Sequence, residues 1–388
     1  MSLKQKVINN MSKLLFISNI SRNISSFVVA SISAAHEVGL EFYHASNWSS
    51  VKDEQIKLAE NEFDIKINSI SCSRNPFDRL NIKAYKELVE LIKHENIDYI
   101  HCNTPIGGLL GRLAGKRCKV KKVIYQAHGF HFFKGAPLKN WLLYYPVEKW
   151  LARYTDAIIT INQEDFEFAK RKFKLRNNGN VYYVPGVGID TARYNSTNRR
   201  EEKRIELQLN KDDIALISMG DLIERKNYDT AIRAIAEANN PALQYFICGK
   251  GPEEENLKAL AECLGVSEQI HFLGFRSDIN ELIDAADLFL FTTKQEGLPR
   301  SMMEAMASGL PCIASRIRGN VDLIDEGKGG FLCSPGDSVA FAQAIEKLAA
   351  DENLRNRMGE YNKQRIKEFD LAVVNEMMKN IYQSVLKD

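Results

Sequence analysis

Two glutamates, Glu296 and Glu304, stand eight positions apart in the stretch 288–311. An apolar run ends near Thr292, a loop carries Glu296 and Gly297, and a helix is predicted to begin around Pro299, a residue suited to a first helical position. One acid then lies in the loop and the other about one turn into the helix, so both can face a single ligand. Carboxylates accept hydrogen bonds from paired hydroxyls such as those of a sugar or a ribose. The open N–H groups and positive end of the helix suit a phosphate. Two isolated glutamates are ordinarily a loop acid and a helix acid on a solvated face. Here Glu304 is set among Met302, Met303, Ala305 and Met306, where an unpaired carboxylate is costly to bury.

Further polar groups follow other apolar runs. Arg225 and Lys226 come after the run 214–219 and Gly220. Their ordinary role is a solvated helix start; beside an anion, a guanidinium matches phosphate oxygens. His128 and Gly129 follow the run 122–126, putting an imidazole where the backbone is free to approach a ligand. Packing or surface exposure accounts for His131. Ser18 and Asn19 follow the first apolar run and offer hydrogen bonds. Asn103, Thr104 and Pro105, with Gly107 and Gly108, form another turn of this kind. Gly249-Lys250-Gly251-Pro252 has Glu254 where the dinucleotide fingerprint needs its third glycine, which argues against a nicotinamide dehydrogenase.

The elements that must position these groups alternate. Apolar runs at 14–17, 99–101, 122–126, 157–161 and 181–184 read as strands, separated by helical patterns at 24–38, 78–94, 141–153 and 164–173. The alternation restarts with strands at 214–219, 243–248, 270–273, 288–292 and 311–314 and helices at 228–238, 252–264, 278–284 and 300–308. That pattern predicts parallel sheets covered on both faces, with ligands at the carboxyl ends of the strands. Residues 188–204, with their Asn-Ser-Thr-Asn run and charges, read as a solvated linker. The expected organisation is an α/β acceptor domain over 1–190, a second domain over 205–370, and a last helix, 371–388, packing back on the first.

The 388 residues suit two domains. A composition 45% hydrophobic and 26% charged, with a net charge of +2, gives no global case for nucleic acid as a partner. The seven cysteines are scattered without a C-x-x-C pair, as in a reduced cytosolic protein. Residues 1–10 lack an apolar signal core, and no apolar run approaches a spanning length.

The segment Glu296-Gly297-Leu298-Pro299 followed by Glu304-Ala305-Met306-Ala307-Ser308-Gly309-Leu310-Pro311 resembles the E-x7-E signature of family 4 retaining glycosyltransferases. The resemblance implies a GT-B fold, two Rossmann-like doubly wound domains facing across a cleft. It implies that Glu296 holds the transferred sugar and Glu304 the nucleotide ribose, with Gly297 and Leu298 helping to position the hexose. The segment 218–227 is similar to the family loop whose Arg and Lys grip the donor diphosphate. Lys226 takes the place of that Lys, whereas Asp221 stands where the family has Arg, and Arg225 is the neighbouring candidate to restore the charge. Gly220 opens this loop. Phe275 falls in a segment that borders the base in the family, and His128 corresponds to a histidine near the transferred sugar. Ser18, Asn19, Asn103 and Gly129 are the acceptor-side candidates. The stretch 183–190 resembles the end of the first domain in bacterial capsule and exopolysaccharide enzymes.

These likenesses lead us to expect transfer of a hexose or N-acetylhexosamine from a nucleotide-diphosphate sugar, with uridine as the base, to a saccharide or polyprenyl-diphosphate-linked acceptor. No D-x-D motif is present, so neither cofactor nor catalytic metal is expected. The stretch 130–154 interleaves aromatics with Lys134, Lys139, Lys149 and Arg153. That composition fits core packing and equally a protein held at the cytoplasmic face of a membrane. Two readings compete with transfer: a nucleotide-sugar epimerase or hydrolase, and a silent sugar-nucleotide binding module, which Asp221 keeps open.

Overall fold

A computed structural model describes residues 11–194 and 199–386. The polar N-terminus and the Asn-Ser-Thr-Asn run of the expected linker lie outside the described residues. The chain divides into two units, one of residues 1–188 and 371–388 and the other Ile189–Asp370.

The first unit holds a seven-stranded parallel sheet in the order β3-β2-β1-β4-β5-β6-β7. Its strands are β1 (Lys13–Ile20), β2 (Glu41–Asn47), β3 (Lys66–Ser69), β4 (Tyr99–Asn103), β5 (Lys122–Ala127), β6 (Ala157–Thr160) and β7 (Asn180–Tyr183). Both faces are buried, as parallel sheets require. Leu15, Ile17, Cys102, Val123 and Tyr125 pack on one side, against the helices Leu80–Glu95 and Pro105–Cys118. Leu14, Phe16, Ile124 and Ile159 pack on the other, with Val374, Met378 and Tyr382 of the last helix, Leu371–Val385. That helix lies along Ser26–Glu37. β2 and β3 escape the apolar-run reading for different reasons. β3 is an edge strand of alternating polarity, and β2 carries His44 and Ser46, both fully buried through hydrogen bonds to Ser18 and Ser21. Gly108 and Gly111 of Pro105–Cys118 lie against Tyr125 and Cys102, so they serve close helix–sheet packing.

The second unit has a six-stranded parallel sheet, order β10-β9-β8-β11-β12-β13. The strands are β8 (Ile214–Met219), β9 (Leu243–Cys248), β10 (Ile270–Gly274), β11 (Leu288–Phe291), β12 (Cys312–Ser315) and β13 (Gly330–Cys333). Its order reverses between β8 and β11, as that of the first reverses between β1 and β4, and such switch points are where open sheets of this kind bind ligands. Residues 199–207 correct the linker reading. They include a helix, Arg200–Glu206, whose Lys203 is buried against Glu206, Asp278 and Glu281 at 2.6, 2.7 and 3.1 Å. Arg200 and Arg204 both reach Asp287. The charges that resembled a solvated tract are paired with acids far along the chain.

Burial lowers the pKa values of His44 and His101 from 6.5 to about 3. The unfolded chain therefore binds more protons below pH 6.5, and stability falls as pH drops towards the folded values. Each ring is expected to remove about 1.4 kcal/mol per pH unit. The urea midpoint should decline between about pH 6.5 and about pH 5, less steeply in His44→Gln. A midpoint that stays level over that interval would contradict the assignment.

Candidate functional site

In the second unit, the loops leaving β8 and β11 meet. Asn227 Nδ2 donates to Thr292 O at 2.9 Å, Thr292 Oγ1 to Asn227 O at 2.8 Å, and Lys294 N to Arg225 O at 2.9 Å. These bonds bring distant charges together. Glu296 Oε1 accepts from Arg225 at 2.8 Å, Lys226 Nζ at 2.9 Å and Thr293 Oγ1 at 3.0 Å. Lys226 and Glu296 are mostly buried, with side chains 12% and 13% exposed, while Arg225 is 41% exposed. The Lys226 ammonium also lies 5.1 Å from the centre of the Phe291 ring. Gly220 has φ +150°, and a Cβ there would lie 3.2 Å from Lys226 Cε. Glycine thus leaves the lysine its room.

Glu304 sits on the eight-residue helix Arg300–Ala307, which has Pro299 as its N-cap. Its Oε1 accepts from Tyr194 OH at 2.9 Å and Arg300 Nε at 3.0 Å. Burial, with the Glu304 carboxylate beside it, pushes the Tyr194 phenol up to about 12, so it stays a donor at neutral pH. Met302, Met303, Ala305 and Met306 pack in the core, and the acid among them is met by polar partners. Arg225 and Lys226 thus meet on Glu296 beyond the ends of β8 and β11, while Glu304, on the helix that follows, is met by Tyr194 and Arg300. Phe275 stands apart, 79% exposed beyond the edge strand β10.

The first unit has a pocket of about 550 Å³ at the carboxyl ends of β1, β4 and β5. Ser18, Asn19, Asn103, His128 and Gly129 all line it. The pairing of β1 with β2 shifts register between Ile17 and Ile20, a bulge that re-aims Ser18 and Asn19. The Oδ1 atoms of Asn19 and Asn103 are buried and have no hydrogen-bond partner among the described residues. They are acceptors available to hydroxyls. Asp165 Oδ2 takes the Phe130 N–H at 3.0 Å and so anchors the loop after β5. In that loop Gly129 has φ +114°. Burial lowers the His128 imidazole to about 4, so it is neutral at neutral pH. His131 stacks near Tyr144, ring centres 4.5 Å apart.

Residues 13–162 match the family described as Glycosyl transferase 4-like, and residues 199–365 the one described as Glycosyl transferases group 1. The chain is 36% identical to the putative glycosyltransferase EpsD of Bacillus subtilis, over 96% of this chain and 97% of that one. It belongs to the group 1 glycosyltransferases. At 27% identity it resembles an Escherichia coli UDP-Gal:alpha-D-GlcNAc-diphosphoundecaprenol alpha-1,3-galactosyltransferase, over 78% of this chain and 79% of the relative. The crystal structure of Anabaena HepE in complex with UDP shares its fold, with a TM-score of 0.78 over 96% of this chain and 100% of HepE, at 20% identity. The fold of this glycosyltransferase is GT-B.

Several residues around these two sites of the glycosyltransferase escape sequence reasoning. Arg318 is buried after β12 and donates to Glu296 O at 3.2 Å. Gly319 packs against Gly297 O, a closeness that a side chain would break. Arg74, Tyr144 and Glu148 line the pocket of the first unit. Buried Arg112 holds Glu148 through two bonds, 2.7 and 3.1 Å, with its guanidinium 3.8 Å from the Tyr125 ring centre. Glu148 falls on the predicted helix 141–153, but Arg112 lies on a helix, Pro105–Cys118, that the apolar pattern does not reveal, and Tyr194 and Arg318 leave no local signal.

Proposed function

We propose that this glycosyltransferase retains anomeric configuration as it moves a hexose or N-acetylhexosamine from a UDP-sugar to a saccharide or polyprenyl-diphosphate-linked acceptor. The setting is assembly of a surface polysaccharide at the cytoplasmic face of the membrane. One observation carries the reading: Lys226 and Arg225 converge on Glu296 at the switch point of the second sheet. Cations and a hydroxyl-accepting carboxylate at one spot suit a diphosphate joined to a sugar. The names of the relatives support the chemistry, since one is a UDP-galactose enzyme acting on a diphosphoundecaprenol-linked sugar, and HepE holds UDP.

In this reading Lys226 and Arg225 stabilise the negative charge that grows on the leaving diphosphate, a term that usually dominates such catalysis. Glu296 accepts hydroxyls of the transferred sugar and Glu304 those of the ribose, with Gly220, Gly297 and Leu298 shaping the surroundings. Phe275 borders the base. On the acceptor side Ser18, Asn19, Asn103 and Gly129 receive hydroxyls, and neutral His128 offers a hydrogen bond near the transferred sugar. The acceptor oxygen bonds to the anomeric carbon on the face from which the diphosphate departs, and its proton passes to the departing phosphate oxygen. The side-chain cations serve without a catalytic metal.

A panel of nucleotide sugars in a thermal-shift assay tests the donor. A uridine-diphosphate sugar at a hundredfold excess over its Kd is expected to stabilise by about 2.7 kcal/mol, several degrees in Tm. Equal indifference to every nucleotide sugar would overturn the donor assignment. With an acceptor supplied, the product should keep the donor's anomeric configuration by NMR; an inverted product would refute retention. Donor cleavage that acceptors do not alter would mark a hydrolase or epimerase instead.

A further inference from the structure

The helix Leu138–Leu151 has apolar residues on both of its sides. Trp141, Tyr144 and Tyr145 pack inward on the core of the first unit, and Glu148 turns inward to Arg112. The opposite side exposes Leu138, Leu142, Leu143, Val147 and Trp150, with Leu138 and Leu142 more than 70% exposed. At 3.6 residues per turn these five positions share an arc of about 180°. Lys139 and Lys149 fall within that arc, and Lys134 and Arg153 are exposed just before and after the helix. The exposed positions of 134–153 include no acid. A water-facing helix normally shows charge of both signs there.

We infer that this outer face is a docking surface for an anionic lipid bilayer. Its leucines and Trp150 enter the boundary between headgroups and acyl chains, and its four cations meet lipid phosphates. Charge selects this occupant over a second copy of the chain, because a self-paired face would oppose lysine to lysine. Among the described residues no helix is long and apolar enough to cross a membrane, so attachment by this face is peripheral. The inward side of the same helix contributes Tyr144 and Glu148 to the pocket of the first unit. The surface therefore holds that pocket beside the lipid headgroups, where a diphosphate-linked acceptor presents its sugar. This last step rests on the acceptor assignment; the docking itself does not.

Co-sedimentation with phosphatidylglycerol-containing vesicles and with pure phosphatidylcholine vesicles tests the inference. The protein should bind the anionic vesicles and release them as salt rises. Lys139→Glu and Lys149→Glu should each weaken binding about fivefold or more, and a Leu138→Ser/Leu142→Ser/Leu143→Ser variant should lose at least about tenfold. In all three, the thermal shift with UDP-sugar should match that of the unaltered protein, which separates loss of docking from loss of fold or donor binding. No binding to anionic vesicles, or equal binding by the variants, overturns the inference. So does self-association that the triple variant abolishes in the absence of vesicle binding.

Discussion

Replacing Lys226 by alanine is expected to lower kcat/KM at least about a thousandfold, with both donor affinity and turnover reduced. The ammonium is mostly buried between the Glu296 carboxylate at 2.9 Å, the Phe291 ring and the Gly220 backbone. A charge-assisted hydrogen bond to a phosphate oxygen in such a place contributes about 1.5–3 kcal/mol to binding. Loss of one fixed donor to a developing oxyanion costs about 10²–10³ in turnover. The variant also changes what the diphosphate meets. Arg225 remains on Glu296, yet it is more exposed, and the carboxylate then repels the donor with one cation fewer beside it. Lys226→Arg should recover little, because the space a planar guanidinium needs is bounded by Gly220 and Phe291. Donor Kd by calorimetry together with steady-state kinetics separates the two losses. Unchanged donor affinity with full turnover in Lys226→Ala would remove the lysine from the diphosphate site.

The parts of this site that sequence alone makes legible are those built from contiguous residues. The strand, loop and helix around Glu296 and Glu304 lie within one short stretch, and the apolar run before them fixes where the loop opens. The β8 and β9 runs are legible for the same reason: fully buried parallel strands are uninterrupted apolar stretches. β2 is not, because its buried His44 and Ser46 mimic a surface strand and their hydrogen-bond partners, Ser18 and Ser21, come from the end of another strand. Lys203 misleads in the same way, since two of its three acidic partners, Asp278 and Glu281, are invisible until the chain folds. Tyr194 and Glu304 are separated by 110 positions, so no local pattern announces their bond. The convergence of Arg225 and Lys226 on Glu296 is intermediate. Each lies on a recognisable loop, but only the reversal of strand order between β8 and β11 makes the loops neighbours. Asp221 also reads differently in three dimensions: its side chain is exposed at the start of the loop, and the cation pair on Glu296 is complete without an arginine there.

Glu296→Gln should separate binding from turnover in the opposite sense to the lysine variant: kcat falls about a thousandfold while donor affinity is kept or improves. In the free protein the carboxylate accepts from Arg225, Lys226 and Thr293 together, and so occupies the same cations that a diphosphate requires. If this is the donor site, as proposed, entry of the diphosphate makes phosphate and carboxylate oxygens compete for them. The neutral amide competes less, leaving two cations for the diphosphate, and the gain offsets the weaker hold on the sugar. The sugar's hydroxyls, however, lose a charged acceptor whose bonds strengthen as positive charge develops at the anomeric carbon, and that loss appears only in the transition state. The backbone should stay in place, because Arg318 still holds the residue's carbonyl and Gly319 still packs on Gly297. A purely structural buried ion pair predicts something else: a loss of stability of up to about 3–5 kcal/mol and none of kcat. Weaker donor binding with kcat preserved in Glu296→Gln would show that the carboxylate serves donor capture alone, and the sugar-positioning role would have to be given up.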